Sequence, residues 1–172
     1  MDFIIKNKIF IRIKMQKEQE EIPVLPIAEV KTILPYEELP CVSVIIPCYM
    51  RKNFVSLIMT NLFHMDYPKG KLEVCILQDG PQELLTPEEL EIFKQTLKCK
   101  VNYKYEKDIR RSIGEKRNRL VKMASHKIIA CMDSDDIYYP TYLRYSVSAL
   151  KEHKVGITSS AQMVFMYPND NY

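Results

Sequence analysis

The chain has 172 residues, a length that holds one domain and a tail but not two full domains. Its 47% hydrophobic and 27% charged residues, with only 4 glycines and no repeat, describe a globular protein that can bury a core without staples. A net charge of +3 gives no argument for nucleic acid, and none is expected as a partner. No run approaches the ~20 apolar residues that cross a bilayer, so no transmembrane segment is expected. The five cysteines are odd in number and form no Cys-x-x-Cys pair. They read as free thiols in a reducing compartment, which places the protein in the cytoplasm. His64, His126 and His153 lack ligand spacing.

The N-terminal residues up to Met15 are apolar but broken by Lys6, Lys8, Arg12 and Lys14. They lack the continuous apolar core of a signal peptide, and alternation from Ile9 to Ile13 predicts a short strand. Residues 16–40 carry Pro23, Pro26, Pro35 and Pro40. They read as a linker, or as a strap lying over a surface, because proline removes backbone donors. Residues 1–40 are therefore set apart from a folded domain over residues 41–172.

From Cys41 the pattern alternates. CVSVIIP is a buried strand ended by Pro47. Residues 53–64 are a helix with Val55, Leu57, Ile58, Leu62 and Phe63 on its apolar stripe. LEVCILQDG is a second buried strand, stopped at Asp79-Gly80. A helix over residues 87–97 starts with Thr86 as N-cap and Pro87 at its first position. VNYKY is a more exposed strand, and residues 113–125 form a helix with Ser112 and Glu115 spaced as a capping box. KIIACMD is the most apolar strand, expected at the sheet's centre. Residues 139–153 are a further helix, and GITSS and SAQMVFMY supply one or two last strands.

This alternation predicts an α/β fold: an open, mostly parallel sheet with helices on both faces. Ligands then bind beyond the carboxyl ends of the strands. Asp133, Ser134, Asp135 and Asp136 stand at one such end. Carboxylates so closely spaced repel one another and raise each other's pKa unless a cation compensates. Mg²⁺ or Mn²⁺ suits them, although aspartates also simply cap turns. Asp79 ends another strand at the same edge. Arg117 falls on the apolar stripe of its helix, with Ile113, Leu120, Val121 and Ala124, so it is expected to face inward toward an anionic partner.

The ordered blocks VSVIIPCYMRKNF, LEVCILQDG and IGEKRNRLVKMASHKIIACMDSDDIYYPTYL resemble the family 2 glycosyltransferases, whose fold is the Rossmann-like nucleotide-sugar-binding GT-A fold. The resemblance covers residues 42 to about 166. It implies that Pro47 and Tyr49, and Arg51 beside them, lie against the nucleotide, and that Asp79 hydrogen-bonds the base. It also implies that Arg117 and Asn118 brace the acidic motif near the nucleotide. Asp133 then faces the ribose, and Asp135, with Asp133, holds a Mn²⁺ or Mg²⁺ ion on the diphosphate.

The implied activity is metal-assisted, inverting transfer of a sugar from a nucleotide-diphospho-sugar, UDP-linked by preference. The acceptor hydroxyl, on a glycan, protein or lipid, is left open. Two departures mark a divergent member: Met50-Arg51 stands where the family often has Asn-Arg, and Gln78-Asp79-Gly80-Pro81 where it usually has Asp-Asp-Gly-Ser. No residue before Tyr172 is a good candidate for the catalytic base, so the chain reads as lacking the acceptor half. The alternative is therefore a non-catalytic interaction module, or a donor-binding fragment. A nucleotidyltransferase would want a glycine-rich loop after the first strand, which PCYMRKNF lacks. An aspartate-dependent phosphatase would place its Asp-x-Asp earlier.

Overall fold

The computed structural model describes residues 29–159. Strands and helices alternate through them: β1 (Val42–Tyr49), α1 (Val55–His64), β2 (Leu72–Gly80), α2 (Pro87–Leu97), β3 (Lys100–Lys107), α3 (Ile113–Met123), β4 (Ile128–Cys131) and α4 (Tyr142–His153). The strands form one parallel sheet in the order β3-β2-β1-β4. Ile45 lies opposite both Cys75 and Cys131, and Tyr49 lies opposite Asp79. This register puts the carboxyl ends of β1, β2 and β4 on one edge.

Successive strand side chains point to opposite faces, and the sequence uses that alternation. Val42, Val44, Ile46 and Cys48 join Leu72, Val74 and Ile76 on one face, packed with Ile58 and Leu62 of α1, Phe93 and Leu97 of α2, and Leu143 and Val147 of α4. Ile45, Cys75 and Leu77 point the other way, onto Leu120 and Val121 of α3. Helices therefore cover both faces, as expected. Each fully buried aliphatic side chain contributes about 1.5–3 kcal/mol relative to exposure.

Several expectations are corrected. KIIACMD is not the sheet's centre: β4 pairs with β1 alone among the described residues, and its four residues are only half-buried. The buried centre is β1 and β2, where nearly every residue is inaccessible. Phe63 and Ile113 leave their apolar stripes and are each 51% exposed, because they lie at helix ends beyond the edge of the packed layer. At α3 the capping box is only half made. Ser112 Oγ accepts from the Glu115 amide at 3.2 Å, but the Glu115 carboxylate turns to Arg111 and Arg119. The complete box is at α2, where Thr86 and Glu89 exchange both bonds.

Pro47 does not end β1, which runs on to Tyr49 beside β2, past its last pairing with β4 at Ile45, where the missing proline N–H breaks no ladder on that side. α4 starts at Tyr142, after a turn. Residues 156–159 form no strand. The strands expected at Ile9–Ile13 and in SAQMVFMY lie outside the described residues.

Residues 30–40 run along α4. Glu152 accepts from the amides of Lys31 and Thr32, Ser148 Oγ accepts from the Leu34 amide, and Arg144 Nε donates to the Leu34 carbonyl. Leu39 already belongs to the core at 2% exposure.

Candidate active site

Three chain turns meet at the carboxyl edge. The first follows β1, where Met50 has φ 51° and Arg51 opens a short 3-10 turn at Lys52–Phe54. The left-handed backbone at Met50 reverses the chain and aims Arg51 back across the sheet edge. The second follows β4. Tyr138 Oη accepts from the Asp133 amide at 2.8 Å, and Tyr142 Oη donates to the Cys131 carbonyl at 2.9 Å. Asn61, buried on α1, donates to the Asp136 carbonyl at 2.8 Å and accepts from the Tyr138 amide at 3.1 Å. That side-chain amide pins the acidic turn to the helix behind it. The third turn, after β3, delivers Arg110, Arg111 and the start of α3.

Between them lies an open cleft of about 170 Å³ lined by Pro47, Tyr49, Arg51, Ile113, Lys116, Asp133, Ser134 and Asp135. Five of the expected site residues thus share one cleft: Pro47, Tyr49, Arg51, Asp133 and Asp135. The cleft is smaller than the several hundred Å³ that encloses a ligand of ordinary size, so a larger ligand would lie across its open side.

Each aspartate of the pair has an arginine. Arg51 reaches Asp135 at 2.9 Å and Arg117 reaches Asp133 at 3.1 Å, with all four side chains roughly 40% exposed. Arg117 thus has the anionic partner expected of it but is half-exposed at the cleft margin and not turned inward, although its Nε is buried with no partner among the described residues. Burial raises the pKa of Asp136 from its ordinary value, and the nearby charges of Asp133 and Asp135 add to the rise. Asn118 is half-buried beside Arg117 and does not line the cleft.

Asp79, expected to hydrogen-bond the base, instead lies beneath the cleft floor, fully buried and outside the lining, because both its oxygens are taken up within the protein. Its Oδ1 accepts from Lys116 Nζ at 2.8 Å and its Oδ2 from the Arg111 amide at 2.7 Å. Lys116, only 5% exposed, also donates to the Cys48 carbonyl at 3.0 Å. One ammonium therefore clamps the ends of β1 and β2 to α3.

Sequence reasoning missed Lys116. The available signal was its place four residues before Leu120, on the same stripe as Arg117. Nothing in the sequence singled out Asn61. The Tyr49 ring is held on two sides: a Cβ on Gly80 (φ 101°) would sit 2.8 Å from it, and the Arg110 guanidinium lies 4.9 Å from its centroid. Gln78 points to the other face of the sheet, where its Nε2 donates to the Gln82 carbonyl. Beside the site, burial drives the Cys48 thiol pKa up to about 12, despite opposing contributions from Ser134, Lys116 and Arg51.

The donor set fits Mn²⁺ or Mg²⁺. Two carboxylates face an open cleft, and no closed group of three or more Asp, Glu, His or Cys ligands exists among the described residues. Such ions bind through one or two carboxylates and take their other ligands from phosphate and water.

Comparison with known proteins gives the same picture. The poly(ribitol-phosphate) beta-N-acetylglucosaminyltransferase TarS of Staphylococcus aureus is 27% identical over 111 residues, which are 64% of this chain and 19% of TarS. The UDP-Glc:alpha-D-GlcNAc-diphosphoundecaprenol beta-1,3-glucosyltransferase WfgD of Escherichia coli is 26% identical over 128 residues, 74% of this chain and 45% of WfgD. The chain thus spans less than half the length of either relative.

Among solved structures, the mannosyltransferase PcManGT of Pyrobaculum calidifontis, in complex with GDP-Man and Mn²⁺, superposes with a TM-score of 0.56 at 23% identity. The match covers 68% of this chain and 36% of that one. TarS residues 1–349 in complex with UDP-GlcNAc superpose with a TM-score of 0.52 at 26% identity, covering 66% and 32%. The fold is that of the GT-A transferases. The sequence profile of "Glycosyl transferase family 2" matches residues 43–172, and this chain belongs to that family.

Proposed function

We propose that the chain carries the donor-binding part of a metal-assisted glycosyltransferase that takes a nucleotide-diphospho-sugar, UDP-linked by preference. The observation that carries this reading is the meeting of Asp133, Asp135, Arg51 and Arg117 with the Tyr49 turn at the carboxyl edge of a parallel sheet. Two relatives are named for GlcNAc and UDP-glucose transfer, and TarS has been solved with UDP-GlcNAc.

In this reading Pro47 and Tyr49 flank the base, and Asp79 acts on that side by holding Lys116 and the Arg111 amide in place. Asp135 and Asp133 hold a Mn²⁺ or Mg²⁺ ion, which supplies Lewis-acid neutralisation of the leaving diphosphate. Arg117 and Asn118 brace Asp133. Transfer inverts the anomeric carbon, with a carboxylate base outside the described residues deprotonating the acceptor hydroxyl. No helix among the described residues is long and apolar enough to cross a membrane. Five free cysteines support a reducing, cytoplasmic location.

The second reading is a non-catalytic module or donor-binding fragment. It is favoured by the arginine that already neutralises each aspartate.

Thermal unfolding with nucleoside diphosphates and nucleotide sugars, with and without Mn²⁺, separates a donor site from a module that binds no nucleotide. Ligand at about 100 times its Kd adds ~2.7 kcal/mol, a shift of about 5–10 °C in Tm. The expected result is a metal-dependent shift with uridine nucleotides that disappears in Asp135→Ala. A cooperatively unfolding protein that no nucleotide shifts would overturn the donor-site reading.

A further inference from the structure

We infer that Arg51 is a place-holding cation for Asp135, displaced when a divalent ion arrives together with a nucleoside diphosphate and then turned onto the diphosphate. The inference rests on the donor-site reading and concerns how that site is filled.

The formal charges of Asp133, Asp135, Arg51 and Arg117 cancel at the cleft, and Lys116 in its lining is balanced by Asp79. A divalent ion arriving alone must displace a guanidinium from a carboxylate, and it leaves the four groups with two excess positive charges. A diphosphate brought with it restores the balance and gives the freed arginine a bidentate partner. Metal and diphosphate therefore bind cooperatively, through a coupling that each exerts equally on the other.

The two arginines are not equivalent. Arg117 rises from α3 with its Nε buried, so its stem is fixed and it braces Asp133. Each arginine contacts its aspartate through one nitrogen, but Arg51 sits on a turn and lies over the Phe54 ring at 5.4 Å. That ring gives the guanidinium a pivot that keeps it at the cleft while it changes partner. The Arg51–Asp135 pair is 39% and 40% exposed, and pairs this open to water are weak enough for an ion to displace.

The test is Mn²⁺ binding by the whole chain, read from the EPR signal of free Mn²⁺, with and without UDP or GDP. It compares wild type with Arg51→Gln and with Arg119→Gln, a cation of α3 that pairs with Glu106 and Glu115 and does not line the cleft. Arg51→Gln is expected to bind Mn²⁺ alone about fivefold more tightly than wild type. It should also lose most of the tightening that the diphosphate produces in wild type, while Arg119→Gln leaves the Mn²⁺-alone constant unchanged. The inference is overturned if Arg51→Gln binds Mn²⁺ alone no better than wild type, or if the two variants shift it equally, as a general field effect would. Failure of the donor-site reading has a separate signature: neither UDP nor GDP changes Mn²⁺ binding by wild type.

Discussion

Met50 carries a left-handed backbone, φ 51°, at a position 52% exposed to solvent. That conformation costs an ordinary L-residue about 1–2 kcal/mol, and asparagine bears it most easily after glycine. The family's frequent Asn-Arg thus suits this turn better than Met50-Arg51 does. Met50→Asn is expected to stabilise the protein by about 0.5–1 kcal/mol in urea unfolding, with little packing to lose. No gain would mean that the Met50 side chain makes a compensating contact.

Lys116 makes the opposite case, a buried ion pair in which neither partner is dispensable alone. Lys116→Met leaves Asp79 fully buried without its counter-ion and is expected to cost about 3 kcal/mol or more. The double variant Lys116→Met, Asp79→Leu should recover much of that loss. A single variant as stable as wild type would show that the clamp between β1, β2 and α3 carries no load. The aspartate at the strand end was readable from the sequence, but its counter-ion was not. A lysine on an amphipathic stripe looks like any solvated lysine until the burial of Asp79 is known.

At the scale of elements, the two edges of the sheet do different work. The amino edge is tied by Glu73, which is wholly buried. Its carboxylate accepts from Ser43 Oγ, from the Ser125 amide at 2.7 Å and from Asn102 Nδ2 at 2.9 Å, and pairs with Lys100 at 2.8 Å. One side chain thereby joins β1, β2, β3 and the turn before β4. Burial pushes its pKa up, but the bonds from Lys100, Ser43 and Ser125 outweigh it and bring the value down to about 2.

A carboxylate with a lowered folded pKa stabilises the native state fully above its unfolded pKa. That contribution fades as pH falls from about 4.5 toward about 2. Glu73 is expected to contribute about 2 kcal/mol after solvent screening at the exposed Lys100. Glu73→Gln should therefore be less stable than wild type at pH 7, and the two should converge near pH 2. Parallel stability curves across that range would refute this account.

Element boundaries were largely legible because each rests on local chemistry. Thr86-Pro87 starts α2, Asp79-Gly80 ends β2, and short, mostly apolar runs rich in Val and Ile mark β1 and β2. The position of β4 was not, since apolarity does not say how many neighbours a strand has.

For the whole molecule, the sequence by itself determined the alternation of strands and helices, the parallel α/β sheet, and the edge to which Pro47, Tyr49, Arg51, Asp133 and Asp135 belong. These follow from periodicity, from turn chemistry and from the rule that ligands bind beyond strand carboxyl ends. Tertiary structure alone decided the pairings. Arg51 meets Asp135 across 84 positions of sequence, Asn61 holds the acidic turn across 75, and Lys116 reaches Asp79 across 37. It also placed Asp79 under the cleft floor and set β4 beside β1 alone among the described residues. Periodicity is local, carried by residues within a turn or two of one another. The charge state and reach of a site depend on which distant side chains the folded sheet brings within about 3 Å, and no local pattern encodes that.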